Sequence, residues 1–345
     1  MTGTFRALRI DRAGSGVRAA LIPLTLDDLT PGDVVVRVDW TSVNYKDALA
    51  VTGAGAILRR FPLVAGIDLA GRVVESADPR FEPGDDVLAC GCGLGETHDG
   101  GFAELARVPA ECVEPMPQGL DAKSAMIIGT AGFTAALALE RLEHNGLTPG
   151  HGPLLVTGAT GGVGSFAVAL ASRRGYEVHA LTGKADAHDY LKSLGAAAVV
   201  DRRGLEKPRK PLERATWGGG IDAVGGDVLA WLLATTRPDG SVASIGLAGG
   251  AKLETTVMPF ILRGVSLLGV NSVAVDPALR ASLWRRLGAE WKPPGLERIV
   301  AREISLDEVE GACRELLDGK VVGRIVVRIG QDAAPAANPG GDGGR

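Results

Sequence analysis

Residues 154–164, Leu-Leu-Val-Thr-Gly-Ala-Thr-Gly-Gly-Val-Gly, set an apolar strand directly before a glycine-rich turn. The following Ser165-Phe-Ala-Val-Ala-Leu-Ala-Ser-Arg-Arg has the composition and apolar spacing of a helix that ends before Gly175. Glycines there let the backbone turn tightly and approach a pyrophosphate, whose charge meets the free N–H groups of the helix N-terminus. The same glycines suit a purely structural turn, and the residues downstream decide between the two. A strand at Glu177–Leu181, a helix at Asp186–Leu194 and a strand at Ala197–Val200 complete a βαβαβ unit. At the end of its second strand an NAD site carries an acid for the ribose 2′-hydroxyl. This chain has Thr182, Gly183 and Lys184 there, with Arg202 after the third strand. A hydroxyl, a free amide and two cations suit a 2′-phosphate, so the reading is NADPH.

The chain that positions this unit has 345 residues, enough for two domains, and 46% hydrophobic residues, ample for sizeable cores. A net charge of −4 argues against a nucleic-acid partner, and 4% aromatic content leaves few platforms for base stacking. The first ten residues carry charges where a signal peptide needs an apolar stretch. The most apolar run, Ala125–Leu139, reads as too short for a bilayer and as a buried helix at a domain junction. No membrane partner and a cytoplasmic location are therefore expected. Cys90, Cys92, Cys112 and Cys313 form no C-x-x-C pair, and no histidine stands at ligand spacing from them. Cys90-Gly-Cys92 is open to a metal or redox reading, but packed, reduced thiols are the expectation, with no metal site.

Residues 1–90 read as an antiparallel β domain, with strands at Asp33–Trp40, Gly71–Glu75 and Asp86–Ala89. Between the first two, Ser42-Val-Asn-Tyr-Lys-Asp-Ala-Leu opens a short helix, and another helix begins at Ala122. Beyond the dinucleotide half, Arg203–Arg214 is a charged, proline-bearing loop. Further strands are read at Ile221, Gly240 and Val265, helices at Leu279–Leu287 and Leu306–Leu317, and a last strand at Arg324–Ile329. Ligands in open α/β sheets sit beyond the carboxyl ends of the strands, which makes Leu247 and Ser272 candidates to border a nicotinamide. The tail 331–345 is rich in Ala, Pro, Gly and Asp and reads as disordered.

Asn44-Tyr-Lys-Asp-Ala-Leu-Ala, Gly66-Ile-Asp-Leu-Ala-Gly, Ala125-Met-Ile-Ile-Gly-Thr-Ala-Gly-Phe-Thr-Ala and Thr256-Val-Met-Pro-Phe-Ile-Leu-Arg carry a specific resemblance. The chain resembles zinc-free medium-chain dehydrogenases/reductases of the quinone-oxidoreductase branch, and more narrowly the YhdH/YhfP-type acrylyl-CoA reductases. The resemblance covers nearly everything from the first strand to Ile329. It implies an α/β architecture: a GroES-like β-rich catalytic domain from both chain ends (1–124 and 266–330), and a doubly wound Rossmann domain (125–265). It also implies a homodimer. The family's cofactor contacts map onto Tyr45, Thr130, Thr160, Gly161, Gly162, Val163, Thr182, Gly183, Lys184, Arg202, Leu247, Ile261, Ser272 and Arg324. Thr160 stands where close relatives have serine; both supply a hydroxyl. Asn44 and Tyr45 replace a cysteine ligand of zinc-dependent relatives and its neighbour, and Ile67-Asp68 replaces their His-Glu pair.

The implied chemistry is metal-free. Hydride from NADPH attacks the β-carbon of an enoyl thioester, charge grows on the thioester oxygen, and donors aimed at that oxygen lower the barrier. The α-carbon then takes a proton from an acid or from water. Asn44 and Tyr45 are assigned to orient cofactor and carbonyl, with Asp68 fixing their geometry. The bland alternative is that Asn44, Lys46 and Asp47 cap a helix while Asp68 ends a strand. Three functions remain open: reduction of acrylyl-CoA or another short enoyl-CoA, a quinone or enone reductase on the same scaffold, and a non-catalytic NADPH-binding sensor. A pocket without a basic rim for the CoA phosphates would favour the second.

Overall fold

A computed structural model describes residues 3–205 and 210–329. The expected disordered tail and part of the Arg203–Arg214 loop lie outside the described residues. Six strands form a parallel sheet in the order Ala198–Asp201, Val178–Thr182, Leu154–Thr157, Trp217–Asp222, Thr236–Ser244 and Ser266–Gly269. Leu154, Leu155 and Val156 are almost wholly buried because this central strand has neighbours on both edges and helices on both faces. The sheet order reverses at that strand, which places the glycine turn at a switch point.

The second large sheet is mostly antiparallel. Strand Val34–Val43 pairs with Asp68–Ser76, with Leu105–Val108 and with Arg324–Arg328, and Arg324–Arg328 in turn pairs with Val300–Ser305. Both chain ends therefore meet in one sheet. A hairpin of Phe5–Ala13 and Gly16–Leu24 adds a third, smaller sheet with Leu63–Val64. The parallel sheet continues through Ser266–Gly269, beyond the boundary expected at residue 265, because this segment completes the ladder on Thr236–Ser244.

Helix Ala122–His144 joins the two units. Its 23 residues are long and apolar enough to cross a membrane, which corrects the reading of this run as too short. Its apolarity has another use: 83% of its most apolar window is buried in the protein. Met126, Ile127 and Ile128 share one core cluster with Leu88 of the β-rich unit and Leu154 and Phe166 of the parallel one. Gly129 breaks the helical path at φ 48°, ψ −160°.

The cysteines depart from expectation. Cys92 and Cys112 form a disulfide, whereas Cys90 and Cys313 are free and buried. Antiparallel pairing of Asp86–Cys90 with Glu114–Pro115 carries the two cysteines to the same sheet end, a proximity that local spacing does not reveal. The pair also removes cysteine usage as support for a cytoplasmic location. Closing a loop of this length stabilises by about 3 kcal/mol through the unfolded chain. Reduction, or Cys92→Ser, is accordingly expected to lower the urea midpoint; identical midpoints for oxidised and reduced protein would refute the bond's structural role.

Candidate active site

Strand Val34–Val43 delivers Thr41 and Ser42 to the junction, and its register with Asp68–Ser76 brings the start of that strand alongside. The chain then turns into helix Tyr45–Thr52, where Asn44 is the N-cap and Asp47 completes a capping box. The capping reading holds for Asn44 and Asp47, whose carboxylate accepts the Asn44 N–H at 2.8 Å, but Lys46 pairs with Glu96 instead and Asp68 opens a strand rather than ending one. The Asn44 side chain does more: its amide donates to Asp68 at 2.8 Å, and its carbonyl oxygen accepts from Arg324 at 2.9 Å.

Asp68 is wholly buried and surrounded by donors. Besides the Asn44 amide, Ser42 Oγ donates to its carboxylate at 2.6 Å, as does the Thr130 hydroxyl, and the Thr130 N–H adds a fourth donor at 3.0 Å. That N–H is free because the helix breaks at Gly129. A Cβ on Gly129 would fall 2.5 Å from Asp68 Oδ2 and 2.7 Å from Arg324 Nη2, so only glycine lets the helix approach the pair. Arg324 arrives from the last strand, 3% exposed. It donates to the carbonyls of Ile127 and Val43 and to Ser42 Oγ, and stands 3.7 Å from the Asp68 carboxylate.

Burial pushes the Arg324 pKa down, against the pull of Asp68. The Cys90 thiol is raised, first by burial and then by the Asp68 charge. Asp47 is raised to about 7, mainly by burial and next by Asp68, while the N–H groups of Asn44 and Ile67 act the other way. Ser42, Asp47, Cys90 and Gly129 were not singled out as site residues. Ser42 was legible in principle, being two residues from Asn44 at the end of a strand with side-chain period two. Gly129 was too, as an isolated glycine in a helical pattern.

Tyr45 is the exposed member of the group, 41% accessible while Asn44 and Asp68 are buried. The structure therefore joins Asn44, Asp68, Thr130 and Arg324 in one network and leaves Tyr45 facing solvent beside it.

The nucleotide half is equally specific. Gly158 has φ 59°, and a Cβ on Gly164 would lie 2.3 Å from the Gly158 carbonyl oxygen, so the turn folds tightly on itself. Gly161 caps helix Gly162–Arg173 without a side-chain hydrogen bond, which keeps the first N–H groups available to an anion. A Cβ on Gly162 would meet Arg324 Cδ at 2.9 Å, and the Gly323 N–H donates to the Thr160 carbonyl. The glycine turn is thereby fastened to the strand that carries Arg324. Val163 follows in the first turn of the same helix.

Thr182 is buried, and its hydroxyl accepts the Lys184 N–H. The Arg202 guanidinium lies within 4 Å of where a Gly183 Cβ would stand. Lys184 differs from expectation: its amine donates to the Val321 carbonyl at 2.7 Å, and burial lowers its pKa. Arg202 also lines a cavity of about 520 Å³ with Gly225, Trp231, Gly249 and Lys252, at the carboxyl ends of the parallel strands. Leu247 packs beside Gly225, and the Ser272 carbonyl lies near Gly91. Ile261 is 70% exposed on helix Met258–Arg263.

The sequence pattern of the zinc-binding dehydrogenases matches residues 162–287, and that of the alcohol dehydrogenase GroES-like domain matches residues 30–118. AcuI of Ruegeria pomeroyi, an acrylyl-CoA reductase, is 47% identical over 94% of this chain and 99% of its own. YhdH of Escherichia coli, solved with bound NADPH, is similar at TM-score 0.90 and 49% identity, over 93% of this chain and 99% of that one. YhfP of Bacillus subtilis, solved with NAD bound, gives 0.91 at 46% identity, over 95% of this chain and 100% of that one. A zinc ion does not fit this site. The Asn44 amide donates to Asp68 and its oxygen is taken by Arg324, and among the described residues no group of three His, Cys, Asp or Glu could hold a metal.

Removing one charge of a buried pair strands the other, at a cost of about 3–5 kcal/mol. Asp68→Ala is expected to lose stability on that scale in urea unfolding, and Asp68→Ala with Arg324→Met to recover much of it. Equal midpoints for wild type and Asp68→Ala would show that the pair does not anchor the site.

Proposed function

Since the chain belongs to the medium-chain dehydrogenase/reductase family, we propose that it reduces the activated C=C bond of acrylyl-CoA, or of a similar short enoyl-CoA, with NADPH. The observation that carries this reading is 47% identity to an acrylyl-CoA reductase over nearly the full length of both chains. When bound, NADPH supplies the hydride. The protein's part is to hold and orient. Thr160, Gly161, Gly162 and Val163 offer backbone donors to the pyrophosphate, and Thr182, Gly183 and Arg202 hold the 2′-phosphate. Lys184 joins them if its amine leaves the Val321 carbonyl. Leu247 and Ser272 border the nicotinamide half, and Ile261 is a further member of the cofactor set.

Asp68 acts as a positioning residue: it fixes the Asn44 amide and the Thr130 N–H without reaching solvent. Arg324 closes the same network from the last strand and fastens it to the glycine turn. Tyr45 is the donor accessible to substrate, placed to hydrogen-bond the thioester oxygen as negative charge grows there. Proton delivery to the α-carbon falls to Tyr45 or to water reaching it. The assay is NADPH oxidation at 340 nm with acrylyl-CoA, run beside a simple quinone and beside NADH. Rapid turnover of the thioester, slowed with NADH and by Tyr45→Phe, is expected. Turnover of the quinone alone would move the protein to the quinone-reductase reading, and silence with both substrates despite NADPH binding to the sensor reading.

We also read the chain as a homodimer. Ser266–Gly269 is an edge strand of the parallel sheet, and exposed Val257, Ile261 and Leu262 precede it. Such an edge with apolar neighbours is a ready surface for a second copy. Sedimentation velocity should give twice the chain mass, falling to the single chain with Ile261→Glu; a wild-type monomer would sink the reading.

A further inference from the structure

We propose that Arg59 and Arg60, with Arg12 and Arg18 of the neighbouring hairpin, hold the phosphates of a coenzyme A thioester beside the mouth of the reductase site. The assignment rests on the thioester reading above and gives it a place on the surface. Coenzyme A carries its phosphates at the far end of a pantetheine arm, so their partners must stand away from the reacting carbons. Helix Tyr45–Thr52 carries the chain about 12 Å along its axis from Tyr45 to the hairpin. At its end, a Cβ on Gly53 would lie 2.9 Å from Val17 Cγ2, which sets the hairpin tip against the helix. Across the hairpin Val17 faces Arg12, and Arg18 faces Asp11.

The segment after the helix closes the rim. The Arg59 N–H donates to the Glu96 carbonyl at 2.9 Å, and Arg59 Nε stands 3.8 Å from the Glu96 carboxylate. That carboxylate is bonded to Lys46, the neighbour of Tyr45. Arg59 is thus one carboxylate away from the residue next to the proposed donor. The Arg12 guanidinium lies 4.8 Å above the Phe61 ring, which holds it against the same segment.

The charge here is unbalanced. Glu96 is already paired with Lys46, and Asp11 with Arg9. Among the described residues no carboxylate pairs with Arg12, Arg18 or Arg60, and all four arginines are exposed. In a chain of net charge −4, four exposed guanidinium groups stand here against one carboxylate, Glu96, that Arg59 already shares with Lys46. Planar guanidinium forks match phosphate oxygens two at a time. The cofactor's own phosphates are assigned to the glycine turn and Arg202 on the parallel-sheet unit, so the rim is free for the substrate.

The test compares acrylyl-CoA with acrylyl-pantetheine, which lacks the nucleotide phosphates, at saturating NADPH. Wild type should prefer the CoA thioester in kcat/KM, and raised salt should shrink the preference. Arg59→Ala with Arg60→Ala should raise KM for acrylyl-CoA by tenfold or more, on the order expected for lost charge-assisted hydrogen bonds. Its kcat, its kinetics on acrylyl-pantetheine and its NADPH affinity should stay at wild-type values. Arg18→Glu, on a separate element, should move KM in the same direction. A double variant that keeps the full preference overturns the rim while leaving the reductase reading intact. A wild type that turns over neither thioester overturns both.

Discussion

A buried arginine facing a buried aspartate is the constraint on which the site depends. Taking either charge out of water costs several kcal/mol, recovered only where every lone pair and proton finds a partner. Arg324 and Asp68 find theirs in each other, in Ser42, Asn44 and Thr130, and in carbonyls of the joining helix. These partners come from the first β-rich segment, the junction helix and the last strand. The network can exist only when the two chain ends and the helix between the units are all in place.

The same constraint explains two sequence features that otherwise look costly. Gly129 interrupts a long apolar helix, and the interruption releases the Thr130 N–H toward Asp68 while clearing space a Cβ would fill. Gly162 lies against the Arg324 side chain, and Gly323 reaches the Thr160 carbonyl. The glycine turn is thus tied to the strand that carries Arg324.

A site built this way separates holding from reacting. Asn44 and Asp68 spend their polar atoms on protein partners, whereas the neighbouring Tyr45 is exposed. The Asp68 charge is satisfied inside the protein by Ser42, Asn44 and Thr130.

Local sequence alone determined the nucleotide half. A strand, glycine turn and helix obey short-range rules of backbone freedom and periodicity, and the order of elements from Leu154 to Asp201 follows from them. The residue types at 182–184 carried the phosphate reading for the same reason, since a strand end and its next turn are near neighbours in the chain, while Arg202 reaches Gly183 from the end of the adjacent parallel strand. What tertiary structure decided is long in sequence separation. Arg324 meets Asn44, Cys92 meets Cys112, and Lys184 reaches Val321 because sheets and the junction helix bring distant segments together. Composition marked Ala125–Leu139 as an apolar run buried at a domain junction, and packing added the full helix Ala122–His144 and the residues of both units that it meets. Local propensity is read from neighbours in the chain, whereas charge pairing, thiol pairing and burial depend on neighbours in space.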